Sequence, residues 1–119
     1  MGIGMRIRDA VTPKGQVVAI VPMDAVLDAT VTLEVRRQIQ QVMDFGYHNL
    51  ILNLSAVNSF DSSGIGVLIS TVKRCKLAHG NMVICEVPQL VQLALEIASI
   101  NHILLIFPTE AEAIANFPS

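Results

Sequence analysis

An alternation of apolar and polar residues marks the beginning of the chain. The stretch MRIRDAV (5–11) has the two-residue period of a strand with one buried face. Pro13 and Gly15 then predict a turn, and QVVAIV (16–21) predicts a second strand paired with the first as a hairpin. We therefore expect an antiparallel edge strand at the N-terminal end of the fold.

The period changes after this hairpin, and a helical pattern follows. Val35, Ile39, Val42 and Met43 recur at helical spacing. Gly46 stands where a helix end favours a residue that tolerates positive φ. The pattern therefore predicts a helix that ends at about Gly46.

Strands and helices alternate along the rest of the chain. The continuous apolar run HNLILNL (48–54) is typical of a strand covered on both faces. NMVICEV (81–87) predicts another buried strand, and HILLIF (102–107) predicts a last strand. One helix is expected from about Ser62 to near Gly80, and a second from Pro88. The second carries a narrow polar stripe formed by Gln89, Gln92, Glu96 and Ser99. Thr109 and Glu112 form a capping box for a terminal helix.

This order of elements predicts a single α/β domain over residues 1–119. It should contain four helices and a mixed sheet that has one face covered by helices. In such sheets, ligand and partner sites lie in loops beyond the carboxyl ends of the strands. The segment from Ser55 to Asp61 is such a loop, so we expect a functional site there.

Composition narrows the function classes. Of 119 residues, 52% are hydrophobic, and eight Lys plus Arg stand against ten Asp plus Glu, without a basic stripe that would indicate nucleic-acid binding. No apolar run approaches the roughly 20 residues of a membrane span, and the N-terminus lacks the apolar segment of a secretory signal. We therefore expect a cytoplasmic protein that binds neither nucleic acid nor membrane.

The cysteine and histidine positions do not match a metal site or a disulfide framework. Cys75 and Cys85 are expected as reduced, buried thiols, and His48, His79 and His102 are scattered singly. No metal and no cofactor are therefore expected.

The stretch SFDSSGIGVLIS (59–70) joins small polar residues to an apolar helix. Its packed face should consist of Gly64, Leu68, Thr71, Val72 and Cys75. Its outward face should carry Ser62, Gly66, Ile69 and Lys73, with Ile65 at the border. An apolar residue beside an accessible hydroxyl is typical of a docking surface, although Ile69 could instead pack against a neighbouring loop.

Two compatible roles, helix capping and phosphorylation, are open to the serines Ser62 and Ser63. Both stand where helix N-caps belong. A phosphate on Ser62 would be tolerated at a helix N-terminus, yet it would add close to two negative charges beside the docking face. Nucleophilic catalysis by Ser62 is disfavoured, because no hydrolase Gly-x-Ser-x-Gly elbow is present and nothing places a histidine nearby. We therefore expect no enzyme activity.

At these residues the sequence resembles the STAS family, the anti-sigma factor antagonists of bacteria. Asp61-Ser62-Ser63-Gly64-Ile65-Gly66 is similar to the family's Asp-Ser-Ser/Thr-Gly-Leu-Gly signature, and the resemblance extends over nearly the whole chain. The resemblance implies that Ser62 is phosphorylated by an anti-sigma factor that is a serine kinase, and that a phosphatase restores the unmodified form. Only the unmodified form would bind the anti-sigma factor and so free the sigma factor. A monomer or weak dimer is expected.

The signature at residues 61–66 and the predicted outward face of the helix together give a set of residues predicted to bind a partner. Its members are Asp24, Asp61, Ser63, Gly64, Ile65, Gly66, Ile69 and Lys73. Asp24 resembles the aspartate of the family's Gly-Glu-Leu-Asp turn, but Val21, Pro22 and Met23 replace the residues before it. This departure bears on the choice of partner. The resemblance also admits a scaffold subunit of a larger assembly or a separate STAS subunit of a transport complex.

Overall fold

The protein is described by a computed structural model over residues 6–100 and 102–119. Met5, the first residue of the strand predicted at 5–11, lies outside the described residues, as do residues 1–4 and Asn101. The strands are β1 (Arg8–Val11), β2 (Val17–Pro22), β3 (Val26–Leu27), β4 (Leu50–Asn53), β5 (Ser59–Phe60), β6 (Met82–Cys85) and β7 (Leu105–Phe107). The helices are α1 (Thr32–Asp44), α2 (Ser62–Leu77), α3 (Gln89–Ile97) and α4 (Glu110–Ala115).

Local residue chemistry produces the predicted turns and helix ends. Gly15 has a φ of +87° and its N–H donates to the carbonyl of Thr12 (2.9 Å), which closes the hairpin turn. Gly46 has a φ of +105° just beyond α1, as its position predicted. Thr109 caps α4 by accepting the N–H of Glu112 at 3.1 Å. The turn, the position of Gly46 and the cap by Thr109 are confirmed, but among the described residues the Glu112 carboxylate does not return the second hydrogen bond of the predicted capping box.

The main sheet is mixed, as predicted. Its strand order is β1-β2-β4-β6-β7; β1 pairs antiparallel with β2, and the other neighbours are parallel. The carboxyl ends of β2, β4, β6 and β7 therefore meet at one edge. A separate pair, β3 with β5, joins Val26 to Ser59 and Leu27 to Phe60. These two short strands were not predicted from the sequence.

The central strand β4 separates two apolar clusters. Leu50 and Leu52 point into the larger cluster, which α1, α2 and α3 cover, while Ile51 points into the smaller one. Ala113 of α4 and the adjacent Phe117 close that smaller cluster. The strand is thus covered on both faces, as predicted. The expectation that helices lie on one face was wrong for α4, which packs against the opposite face through an apolar stripe.

Candidate functional site

The predicted loop between β4 and α2 is held to the loop after β2. The N–H groups of Asn58 and Ser59 both donate to the carbonyl of Ala25, at 2.8 and 3.1 Å. Asp24, the residue before Ala25, is exposed. Backbone hydrogen bonds therefore bring the turn that contains Asp24 next to the segment that leads into α2.

Asp61 caps α2. Its backbone is extended, and Oδ1 accepts the N–H of Ser63 at 2.8 Å. Oδ2 accepts the N–H of Ala29 at 3.4 Å, which ties the cap to the segment after β3. The expectation that Ser62 or Ser63 caps the helix was wrong, because α2 begins at Ser62 and the flanking residue that can reach the second N–H is Asp61.

Ser62 is exposed, and Ser63 is half-buried. This difference agrees with the rotation of about 100° between successive helical residues. Within the described chain, the hydroxyl of Ser62 makes no hydrogen bond with another side chain or with the backbone. The serine at the first position of α2 therefore presents a hydroxyl that helix capping does not occupy.

Gly64 allows the first turn of α2 to approach the β3–β5 pair. A Cβ at this position would lie 2.5 Å from the carbonyl oxygen of Leu27 and 2.6 Å from the Phe60 ring. Gly64 belongs to the predicted partner-binding set, but it is buried and so does not lie on the surface that a partner could contact. It supports that surface from within the fold. A Cβ on Gly66 would come no closer than 3.5 Å to the guanidinium of Arg36, so packing within the chain does not require a glycine there.

Neighbouring α1 covers part of the face of α2 that was predicted to be outward. Arg36 donates to the hydroxyl of Ser70 at 2.6 Å, and Arg74 donates to Gln40. Ser62 and Lys73 are exposed. Ile65 and Ile69 are half-buried and pack against the larger cluster, so the expectation of an exposed Ile69 was wrong. The packed face was predicted correctly: Gly64, Leu68, Thr71, Val72 and Cys75 are all buried.

Sequence reasoning missed Asp28, which holds the site loops together. Its Oδ1 accepts the N–H and the hydroxyl of Thr30 at 2.9 and 2.5 Å, and its Oδ2 accepts the hydroxyl of Ser59 at 2.9 Å. These hydrogen bonds, the Thr30 hydroxyl first, lower the pKa of Asp28 below its ordinary value. An Asp two residues before Thr is a signal for such a turn, and it could have identified this residue.

Two of the three histidines, His48 and His79, lie far from Ser62. His79 follows the C-terminal end of α2, and a Cβ on Gly80 would collide with the carbonyl of His48, so these two histidines are neighbours. Ser62 stands at the other end of this helix of 16 residues, which spans about 24 Å. Neither of these two imidazoles can therefore serve as a base for the hydroxyl of Ser62.

The described residues offer neither a metal site of clustered ligands nor a membrane-spanning helix. Residues 6–100 and 102–119 contain no group of three or more His, Cys, Asp or Glu side chains placed to hold a metal ion. Within the same ranges, each helix is too short or too polar to cross a membrane.

Comparison with known proteins identifies the family. A STAS domain model matches residues 9–113. A Thermotoga maritima protein described as an anti-sigma factor antagonist is 21% identical over 90% of each chain, with a TM-score of 0.77. The anti-sigma factor antagonist SpoIIAA of Bacillus is 16% identical in its unphosphorylated form, over 92% of this chain and 93% of its own, with a TM-score of 0.69.

The murine anion transporter Solute Carrier 26 family member A9 also contains this fold. It is 19% identical over 82% of this chain and 17% of the transporter, with a TM-score of 0.70. At these identities the structural likeness shows the fold alone. The match of the domain model over residues 9–113 goes further, and the chain belongs to the STAS domain family.

Proposed function

We propose that this STAS domain is an anti-sigma factor antagonist controlled by phosphorylation of Ser62. The observation that carries the proposal is the pairing of an exposed Ser62 with a cap supplied by Asp61. Because the fold does not use the hydroxyl of Ser62, a kinase can modify it without breaking the helix. In the unphosphorylated form the domain binds an anti-sigma factor and frees a sigma factor, which regulates transcription.

Electrostatics provides the switch. A phosphate on Ser62 adds close to two negative charges next to the Asp61 carboxylate. The N-terminus of α2 tolerates this charge within the chain, because the helix dipole is positive there. A partner that covers the same surface would have to desolvate the phosphate or pair it with a cation, so binding is expected to fail.

The class of partner comes from the relatives. SpoIIAA is named an anti-sigma factor antagonist and has been solved in unphosphorylated and phosphorylated forms. By analogy, we propose that the partner here is an anti-sigma factor that is also a serine kinase, and that a serine phosphatase reverses the modification. The domain acts in the cytoplasm as a monomer or weak dimer and binds its partner without a cofactor or catalysis of its own.

The contact surface is proposed to surround Ser62. Asp24 and Lys73 are exposed and can contact a partner directly. Gly66, which lies beside Arg36, and Ile69 are partly accessible and complete the surface along α2. Asp61 is exposed at the edge of this surface and forms the helix cap, while Gly64 and Ile65 support the surface from within the fold.

A phosphorylation and binding experiment tests the proposal. The purified domain is incubated with ATP, Mg²⁺ and an anti-sigma kinase from the same organism, and the modified residue is located by mass spectrometry. We expect phosphate on Ser62 in the parent and in Ser63→Ala, and none in Ser62→Ala. By calorimetry, Ser62→Asp should bind the kinase at least roughly 30-fold more weakly than the parent. Phosphate on Ser63, or unchanged binding by Ser62→Asp, would refute the switch.

A second candidate is a subunit of a larger assembly, either a scaffold or a separate STAS component of a transport complex. It is favoured by three apolar side chains of α3 that face solvent, Leu90, Leu93 and Ile97, of which Ile97 is 85% exposed. Sedimentation velocity separates the candidates, because a scaffold forms a large particle alone and the proposed switch sediments as a monomer or dimer.

A further inference from the structure

A groove opens at the same edge of the sheet as Ser62. It has a volume of about 260 Å³ and lies between the connection from β6 to α3 and the end of β7. Its lining residues are Glu86, Val87, Gln92, Ile106, Phe107 and Pro108. The N–H of Leu54 donates to the carbonyl of Cys85 at 3.1 Å, so the groove adjoins the loop that leads to α2.

The groove combines an apolar floor with a carboxylate that has no partner. Val87 and Ile106 pack against the larger cluster and Phe107 against the smaller one. Among the described residues, the carboxylate of Glu86 accepts no hydrogen bond, and the ion pairs formed are Arg8 with Glu110 and Arg37 with Glu34. Among the described residues, no basic side chain therefore forms an ion pair with Glu86.

The backbone of Glu86 has an unusual conformation that nearby helix ends do not explain. Its φ is +53°. Two other residues with positive φ, His79 and Ser99, end helices, where the next N–H bonds back five residues to Cys75 and Leu95. Glu86 instead follows a strand and donates its N–H to the carbonyl of Phe107 at 3.2 Å. Glycine would adopt this φ at lower cost, so a glutamate at this position costs local stability.

We propose that this groove binds an arginine side chain of a protein partner. The apolar stem of arginine fits a floor of Val87, Ile106 and Pro108, and its planar head can stack on Phe107 while it pairs with Glu86. The groove and Ser62 lie at one edge of the sheet, and β4 and β6 are adjacent strands about 4.8 Å apart. One partner can therefore contact both, and to that extent the inference rests on the proposed function.

The first test does not depend on any protein partner. Backbone amides of the isotope-labelled domain are followed by NMR during titration with acetyl-arginine amide, with acetyl-citrulline amide as the uncharged control. We expect saturable shifts at Val87 and Phe107 in the millimolar range, weakened by salt, and absent with citrulline. Glu86→Gln should reduce the affinity roughly fivefold or more.

Matched variants separate recognition from backbone strain. Glu86→Gly removes the carboxylate and relieves the positive φ, so the unfolding midpoint should stay equal or rise while arginine binding is lost. Ser99→Gly relieves the same kind of φ at the end of α3 and should leave arginine binding unchanged. Shifts that Glu86→Gln leaves intact, or that fall outside the groove, would overturn the proposal.

The second test uses the anti-sigma kinase. Glu86→Gln should weaken the complex with the kinase roughly tenfold or more. The rate of Ser62 phosphorylation, measured at low substrate concentration, should fall by a similar factor. A parent domain that binds arginine at the groove but does not bind the kinase would contradict the proposed function and support the groove. A kinase complex that Glu86→Gln leaves unchanged would contradict the shared partner.

Discussion

Asp61 and Ser63 form the cap of α2, with the carboxylate Oδ1 and the backbone nitrogen 2.8 Å apart. Ser62, the residue between them, is exposed and takes no part in this bond. The residue that caps the helix, Asp61, is thus separate from the residue that we propose is modified. Folding and regulation can therefore be tested independently at adjacent positions.

Replacing the cap should destabilise the domain, and replacing the proposed phosphorylation site should not. Asp61→Ala removes the acceptor for Ser63 and the longer contact to Ala29, and should lower the free energy of unfolding by about 1 kcal/mol. Ser62→Ala removes an exposed hydroxyl and should change it by less than about 0.5 kcal/mol. Urea unfolding measures both. An equal loss in the two variants would mean that Ser62 also contributes to the cap.

The sequence predicted features that depend on local chemistry. Gly46 follows an apolar periodic segment and ends α1 through its own backbone conformation. Thr109 stands three residues before Glu112 and begins α4 through its own side chain. The apolar run around Ile51 predicted a strand covered on both faces, because successive residues of a strand point to opposite faces and here all of them are apolar. Such signals are contained in a few consecutive residues.

Features that depend on distant neighbours were not predictable in the same way. The segments that form β3 and β5 are two residues each, too short to show a period. Asp61, Ser62 and Ser63 are all good capping residues, so only the observed start of α2 decides among them. The burial of Ile69 depends on packing against the larger cluster, which spacing along α2 alone does not reveal.

A carboxylate of α4 should contribute to stability at neutral pH. Glu110 accepts hydrogen bonds from Arg8 at 2.8 and 2.9 Å and from Asn53 at 2.7 Å. Burial raises its pKa, but these hydrogen bonds and the charge of Arg8 outweigh burial and lower it below 4.5. The contribution is present above pH 4.5 and is lost as pH falls through the lowered pKa.

Unfolding at several pH values checks this contribution. Glu110→Gln should be less stable than the parent at pH 7, and its stability should fall less steeply below pH 4.5. Glu112→Gln is the matched control on the same helix, because Glu112 is exposed, and it should follow the parent curve. A parent and a Glu110→Gln variant with parallel curves would show that the ion pair with Arg8 contributes nothing.

Both cysteines should be unreactive in the folded domain. Burial raises the pKa of Cys75 to about 11 and of Cys85 to about 12, and the charges of Glu110 and Glu86 add to the shift at Cys85. At pH 8 a disulfide reagent should therefore titrate no thiol within minutes, and two per chain after unfolding in urea. Ser55→Cys supplies an exposed thiol as the positive control. Rapid reaction of Cys85 would show that β6 opens locally.

The two glycines of the signature should respond to alanine in opposite ways. Gly64→Ala places a Cβ 2.5 Å from the carbonyl of Leu27, so backbone must move and stability should fall by about 1–3 kcal/mol. Gly66→Ala meets only ordinary contact with Arg36 at 3.5 Å, and alanine inside a helix should raise stability by about 0.5–1 kcal/mol. If a partner packs closely on α2, Gly66→Ala should nonetheless weaken anti-sigma factor binding in calorimetry. A Gly66→Ala variant that is more stable and binds as tightly as the parent would place the interface elsewhere.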